Sequence, residues 1–353
     1  MRLYAAFLVI APFTFAQDVK TGSVEVDKPK AEIQPTMWGV FFEDINFGAD
    51  GGIYAELIKN RSFEFYKPRT GWKVMVEDRD SSHFVVLNRK ATNEANPRFA
   101  RITVDNADSR YCLSNSGFRG MGIKKDNVYH FSLLASLPDN GNIKLRIELI
   151  SEKGEKIGEA SLMPAGKEWK KYSADLTAGQ TDLRASINIW FEGKGQVDVD
   201  MISLFPGDTW KNRPNGLRAD LVQLLADLKP GFLRFPGGCI VEGYDLNVRY
   251  QWKKTIGNIE DREMIVNRWN TEFRHRPTPD YYQTFGLGFY EYFLLSEDIG
   301  AEPLPILNCG MACQFNTAEL VPIEQMDPYI QDALDLIEFA NGPEDSKWGK
   351  IRS

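Results

Sequence analysis

The sequence predicts α/β plus all-β architecture, a parallel α/β unit interrupted by an inserted β-sandwich, and three observations carry that prediction. The apolar run Trp38-Gly39-Val40-Phe41-Phe42 stops at the carboxylate pair Glu43-Asp44, with Asn46, Gly48, Gly51 and Gly52 close behind. That is the pattern of a buried strand ending in a loop. From about Lys67 to Pro206 the apolar residues alternate with period two, and after Trp210 they fall at helical spacing broken by short apolar strands. In parallel α/β folds the loops at the C-terminal strand ends converge on one face, so Glu43 becomes the first residue to weigh as a ligand-binding group.

Taken in order, the chain opens with Arg2 ahead of the apolar run Leu3 to Phe15, and Thr14-Phe15-Ala16 supplies a small-residue cleavage pattern. Residues 1–16 are expected to be a signal peptide cut after Ala16, too short to anchor a bilayer, which makes the mature chain secreted or periplasmic. Residues 17–66 form an N-terminal segment that includes the first strand. In 67–206, Ile143, Leu145, Ile147 and Leu149 alternate with Lys144, Arg146 and Glu148, while Val197, Val199 and Met201 alternate with Asp198 and Asp200. Turn signals such as Pro138-Asp139-Asn140-Gly141 and Glu152-Lys153-Gly154 separate about ten such strands, the spacing of a sandwich or jelly roll.

Residues 207–353 return to α/β patterning. Leu217, Leu221, Leu224, Leu225 and Leu228 predict one face of a helix ended by Lys229-Pro230-Gly231, followed by the strand Phe232-Leu233-Arg234-Phe235. A second helix runs from about Gly288 to Ile299, and the strand Pro303 to Leu307 ends in Asn308-Cys309-Gly310. A third helix opens at Asp327-Pro328, turns Ile330, Ala333, Leu334 and Ile337 inward, and stops at Asn341-Gly342-Pro343. Three βα-type strands are visible where a closed barrel needs eight. The alternatives are a very small open sheet or a part of a larger protein.

Composition narrows the function classes. The 353 residues are 43% hydrophobic and 26% charged, an ordinary globular balance. A net charge of −7 without a Lys/Arg run argues against nucleic acid. The 8 Trp, 13 Tyr and 22 Phe suit either sugar stacking or an aromatic core. Four cysteines, Cys112, Cys239, Cys309 and Cys313, are too few for a disulfide-built scaffold. The histidines His83, His130 and His275 are scattered, so neither a metal nor a cofactor is expected.

Three blocks, in order, resemble the glycoside hydrolase family 51 α-L-arabinofuranosidases. They are Trp38 to Asn46 with Gly51-Gly52-Ile53-Tyr54-Ala55-Glu56-Leu57 and Asn60-Arg61-Ser62-Phe63-Glu64; Leu233-Arg234-Phe235-Pro236-Gly237-Gly238-Cys239; and Gly286-Leu287-Gly288-Phe289-Tyr290-Glu291-Tyr292 with Gly300-Ala301-Glu302-Pro303 and Leu307-Asn308-Cys309-Gly310. The resemblance implies the first three strands of a (β/α)8 TIM barrel, with the sandwich similar to carbohydrate-binding modules that some members insert after the first strand. It implies a retaining hydrolase releasing terminal arabinofuranosyl residues from an arabinose-containing plant polysaccharide or oligosaccharide, with no membrane span, and leaves homo-oligomerisation open.

The family's two catalytic glutamates follow its fourth and seventh strands, the first in an Asn-Glu pair. Here the only Asn-Glu pair, Asn93-Glu94, falls inside the sandwich and takes no such role, so both glutamates are expected beyond Ser353 and the isolated chain is expected to be inactive. The substrate-binding half carries over. Glu43 matches the glutamate that accepts hydrogen bonds from arabinose hydroxyls, its other reading being a loop carboxylate or helix cap. Cys239 stands where some members place a sugar-touching asparagine, or else is a small residue under the loop. Arg234 would keep active-site carboxylates ionised or serve a structural ion pair. Asn308 points into the same region, and Trp269-Asn270 and Tyr281-Tyr282 are candidate pocket walls. A non-catalytic carbohydrate-binding protein working through the sandwich is the alternative from a different class; an adhesion segment leaves the strand-end motifs unexplained.

Overall fold

The computed structural model describes residues 22–28, 30–76, 81–88, 93–108, 110–139, 141–272 and 279–353. The expected signal peptide and His275 lie outside the described residues. No helix among the described residues is long and apolar enough to cross a membrane.

The first strand, β1 (Val40–Phe41), is shorter than the apolar run around it. Ten strands follow: β2 (Trp72–Met75), β3 (His83–Asn88), β4 (Arg98–Val104), β5 (Tyr111–Asn115), β6 (Met121–Ile123), β7 (Val128–Ser136), β8 (Asn142–Ile150), β9 (Lys156–Leu162), β10 (Lys170–Thr177) and β11 (Asp182–Pro206). All their pairings are antiparallel. The 25-residue β11 pairs through residues 182–194 with β5, β6 and β8, and through residues 195–206 with β4 and β7. It passes from one sheet to the other at Gly193 and Gly195, whose φ angles of 117° and 130° suit glycine. A Cβ on Gly193 would stand 2.0 Å from the Asn142 carbonyl oxygen.

The two sheets enclose one core. Ile143, Leu145, Ile147 and Leu149 of β8 are fully buried in it, as their alternation predicts, against Ile102, Phe131, Leu133 and Leu204. Asp198 and Asp200 depart from the predicted alternation, for both are buried. The Arg101 guanidinium donates to both Asp198 oxygens at 2.7 Å, which satisfies that carboxylate inside the fold. Ile58 and Phe63 also pack into this core from ahead of residue 67. Glu56 ties the same segment down, accepting from the amides of Ile58 and Leu204 at 2.9 Å each.

The second core belongs to a parallel sheet of order β1-β12-β15, where β12 is Phe232–Phe235 and β15 is Glu302–Pro305. Around it lie α1 (Ala219–Asp227), α2 (Cys239–Glu242), the short pair β13 (Ile265–Val266) and β14 (Tyr282–Gln283), α3 (Phe289–Ile299), α4 (Asp327–Asn341) and α5 (Gly349–Arg352). The β12 strand sorts its side chains by face. Leu233 and Phe235 are fully buried, and Phe235 stacks on Tyr292 of α3 with centroids 4.6 Å apart. On the opposite face, Phe41, Arg234 and Leu304 stand in register across the three strands, and Phe41 and Leu304 are exposed.

One helix, α4, turns differently from its sequence expectation, and α1 departs from it in part. In α4 the buried residues are Asp335, Leu336 and Phe339, while Ile330, Leu334 and Ile337 are exposed. In α1 Val222 is buried and Leu221 and Leu225 pack against the core as expected, as does Leu217 just ahead of the helix, while Leu224 and, just past the helix end, Leu228 are exposed. Each helix carries two apolar stripes, and the sheet has room for one. In α3 Phe289 and Tyr292 face inward as predicted.

Candidate functional site

The polar residues that follow β1, β12 and β15 meet on one side of the parallel sheet. Parallel pairing continues one residue past β1, with the Phe42 amide donating to the Arg234 carbonyl at 2.9 Å, so Glu43 leaves the sheet beside the Pro236-Gly237-Gly238 turn. The Glu43 Oε1 accepts the Ile240 amide of α2 at 3.0 Å. Gly237 has φ 153°, and a Cβ there would lie 2.5 Å from Glu43 Cγ. Only glycine lets the turn close over the carboxylate.

Asp44 points the other way, into the protein. Its Oδ1 accepts the Ala49 amide at 2.9 Å and the Tyr281 hydroxyl, and its carbonyl accepts Asn267 Nδ2 at 2.9 Å. Burial, reinforced by the nearby Asp50 charge, pushes the Asp44 carboxyl up to about 7 despite these donors. Asp50 is raised too, first by burial, while it accepts from the amide and hydroxyl of Thr284 at 2.9 and 2.5 Å. The two aspartates hold Asn267, Tyr281 and Thr284 against the end of β1.

The other predicted site residues separate into groups. Cys239 opens α2 and is half-buried; its Sγ, the Cys313 Sγ and a Glu242 carboxylate oxygen all lie within 4.8 Å of one another. Burial first, then Cys313 and Glu43, push the Cys239 thiol up to about 11, against the opposing Arg268 charge. Arg234 lies with its guanidinium 4.4 Å from the Phe41 ring centroid. Asn308 spends its amide on the loop. Its Nδ2 donates to the carbonyls of Val241 and Met311 at 2.9 Å each, and its Oδ1 accepts the Gly310 amide at 2.7 Å.

Tyr281 is fully buried and serves Asp44, while Tyr282 stacks on Phe65 at 3.9 Å. Asn270 closes its own loop, accepting the amides of Asp280 and Tyr281 at 3.2 Å each, and Trp269 stacks beneath the Arg268 guanidinium at 4.3 Å. In the sandwich, Asn93 donates to the Glu260 carbonyl at 2.6 Å. Sequence reasoning missed Asp44, Asn267, Arg268, Glu242 and the partnership of Cys313 with Cys239. Asp44 had a signal in its place beside Glu43 and Glu242 in its three-residue spacing from Cys239; Asn267, Arg268 and Cys313 arrive on segments whose approach no spacing announces.

Near Glu43 and Cys239 the surface offers a carboxylate, one half-buried thiol and glycine-lined backbone, with the Cys313 thiol buried behind them. It can accept hydrogen bonds from hydroxyl groups. A separate cavity of about 520 Å³ lies at Trp210, Asn215 and Tyr290, on the α3 side of the fold. Its charged lining is paired internally, Arg213 with Asp298, Lys171 with Glu260 at 3.5 Å and Arg262 with Glu291 at 2.9 Å.

Residues 224–353 match the family model described as α-L-arabinofuranosidase 1 domain. Over 99% of its length the chain is 38% identical to an extracellular exo-α-L-arabinofuranosidase of Streptomyces chartreusis, covering 42% of that protein. It is 35% identical over 91% of its length to α-L-arabinofuranosidase 1 of Arabidopsis thaliana, covering 47% of that protein. The structure of arabinose-bound MgGH51 α-L-arabinofuranosidase superposes with a TM-score of 0.82 at 30% identity, over 92% of this chain and 52% of that one. The chain thus spans about half the length of these relatives.

Proposed function

We infer, from this chain's membership of the glycoside hydrolase family 51 α-L-arabinofuranosidases, that it forms the arabinose-holding wall of an exported retaining hydrolase. The carrying observation is Glu43, set at the end of β1, clamped by the α2 amide and crossed by the Gly237 turn. A carboxylate so placed accepts hydrogen bonds from neighbouring sugar hydroxyls and fixes the furanose ring in the site. Retention of configuration needs two further carboxylates about 5–5.5 Å apart, one attacking the anomeric carbon and one protonating the leaving oxygen. In this reading a polypeptide segment additional to residues 1–353 supplies them.

The parallel sheet is then the first part of a (β/α)8 barrel, and residues 67–206 are a carbohydrate-binding-like domain inserted after its first strand. The exposed stripes Leu224 and Leu228 of α1 and Ile330, Leu334 and Ile337 of α4 support the barrel reading, because the outermost helices of a partial barrel are the ones with neighbours still to pack. The ligand is an arabinose-containing plant polysaccharide or oligosaccharide, and residues 1–16 act as the export signal. Titration calorimetry with an arabinooligosaccharide tests the binding role. Binding by the chain that weakens about 10-fold in Glu43→Gln is the expected result, since a hydrogen bond to a charged acceptor contributes about 1.5–3 kcal/mol. Equal affinity of the two proteins, or rapid turnover of an aryl arabinofuranoside by the chain alone, would overturn it.

A further inference from the structure

We propose that Cys239, Glu242 and Cys313 form a thiophilic metal site that takes a zinc ion. Cys239 and Glu242 stand three residues apart on the single turn of α2 and so project from one face. Cys313 arrives from the loop after β15, and its placement does not depend on its own side chain. Its amide donates to the Gly243 carbonyl at 3.2 Å, and Asn308 fastens the same loop to the Val241 carbonyl at 2.9 Å. The two sulfurs and the carboxylate oxygen lie within 4.8 Å of one another. Zinc binds sulfur at about 2.3 Å and carboxylate oxygen at about 2.0–2.2 Å, so donors round one ion stand roughly 3.5–3.8 Å apart. A closure of at most about 1.3 Å brings all three into range.

A second observation points to a cation there. Glu242 Oε2 is buried and has no hydrogen-bond partner. A buried carboxylate oxygen without a donor, next to two thiols, is what a metal would satisfy. Charge closes as well. Two thiolates and one carboxylate are balanced by a divalent ion together with the Arg268 guanidinium, which lies 3.4 Å from Cys313 Sγ. Binding forms two zinc–sulfur bonds and one zinc–oxygen bond and releases one proton from each thiol to solvent, with no change of oxidation state. Three protein donors leave a fourth position for water, beside Glu43.

The test uses the purified 353-residue chain, reduced and freed of metal by a chelator. Adding Co²⁺ is expected to produce a thiolate-to-cobalt charge-transfer band in the near ultraviolet, at one ion per chain, that Zn²⁺ displaces. The band should be lost in Cys239→Ser and in Cys313→Ser and retained in Cys309→Ser and Cys112→Ser. Glu242→Gln keeps both thiols and should weaken zinc binding at least ~10-fold with an unchanged circular dichroism spectrum, which separates ligation from misfolding. Absence of the band, its persistence in Cys239→Ser, or an unreduced chain two hydrogens lighter with Cys239 and Cys313 in one cross-linked peptide would each overturn the proposal. No sugar enters the readout, so the result stands apart from the arabinose-binding test.

Discussion

Replacing Asp44 by Asn should change how stability depends on pH. In the fold the Asp44 carboxyl is raised from 3.8 to about 7, chiefly by burial and then by Asp50. Between those values the unfolded chain has lost the proton and the native protein keeps it, so the unfolded state binds fewer protons and stability falls as pH rises. The contribution is whole below the unfolded value, is lost through the native value and is flat above it. At about 1.4 kcal/mol per pH unit, the loss between roughly pH 4.5 and pH 8 is about 3 kcal/mol.

Asn cannot titrate. Its fixed cost, from setting an amide nitrogen near the Asn267 Nδ2 group that lies 3.5 Å from Asp44 Oδ2, is independent of pH. Asp50 titrates in both proteins and cancels to first order. Urea denaturation followed by tryptophan fluorescence at several pH values therefore yields a difference, wild type minus Asp44→Asn, that should shrink by about 3 kcal/mol toward alkaline pH. A difference that changes by less than about 1 kcal/mol would refute the assignment of the native proton to Asp44.

Two further outcomes probe the parts that hold the site. Arg262 donates to the carbonyls of Phe285 and Gly257 and to both oxygens of Glu291, which in turn accepts the Gly288 amide at the start of α3. Arg262→Met should cost about 3–5 kcal/mol in urea denaturation, because it leaves a carboxylate without its buried partner; a loss under about 1 kcal/mol would mean that Glu291 re-solvates freely. Gly39→Ala would set a Cβ 2.3 Å from the Phe232 carbonyl oxygen and should destabilise by about 1–3 kcal/mol in thermal melts, while Gly122→Ala, with nothing within 4 Å, should melt with the wild type.

Much of the fold was legible because its signals are local. The β8 alternation announces a half-buried strand, and a run of large apolar residues that ends in two carboxylates announces a strand end at Glu43. Helix α4 was legible in extent and not in orientation, since Ile330, Leu334 and Ile337 make a stripe as regular as the one that packs through Leu336 and Phe339. Cys309 and Cys313 stand close together in the sequence, yet Cys309 is exposed and Cys313 lies buried beside Cys239. The link from Asp44 to Asn267 and Tyr281 joins residues more than two hundred positions apart, and a distance of that kind leaves no periodic trace.

The passage of β11 from one sheet to the other sets an order of events in time. This strand supplies partners to β4, β5, β6, β7 and β8, and it is the last of the ten to be synthesised. Until residues 182–206 have emerged, neither sheet has its central member, and the earlier strands can pair only as β2–β5, β3–β4, β7–β10 and β8–β9. Closure must then wait for contacts that span most of the domain, which is the slow route to folding.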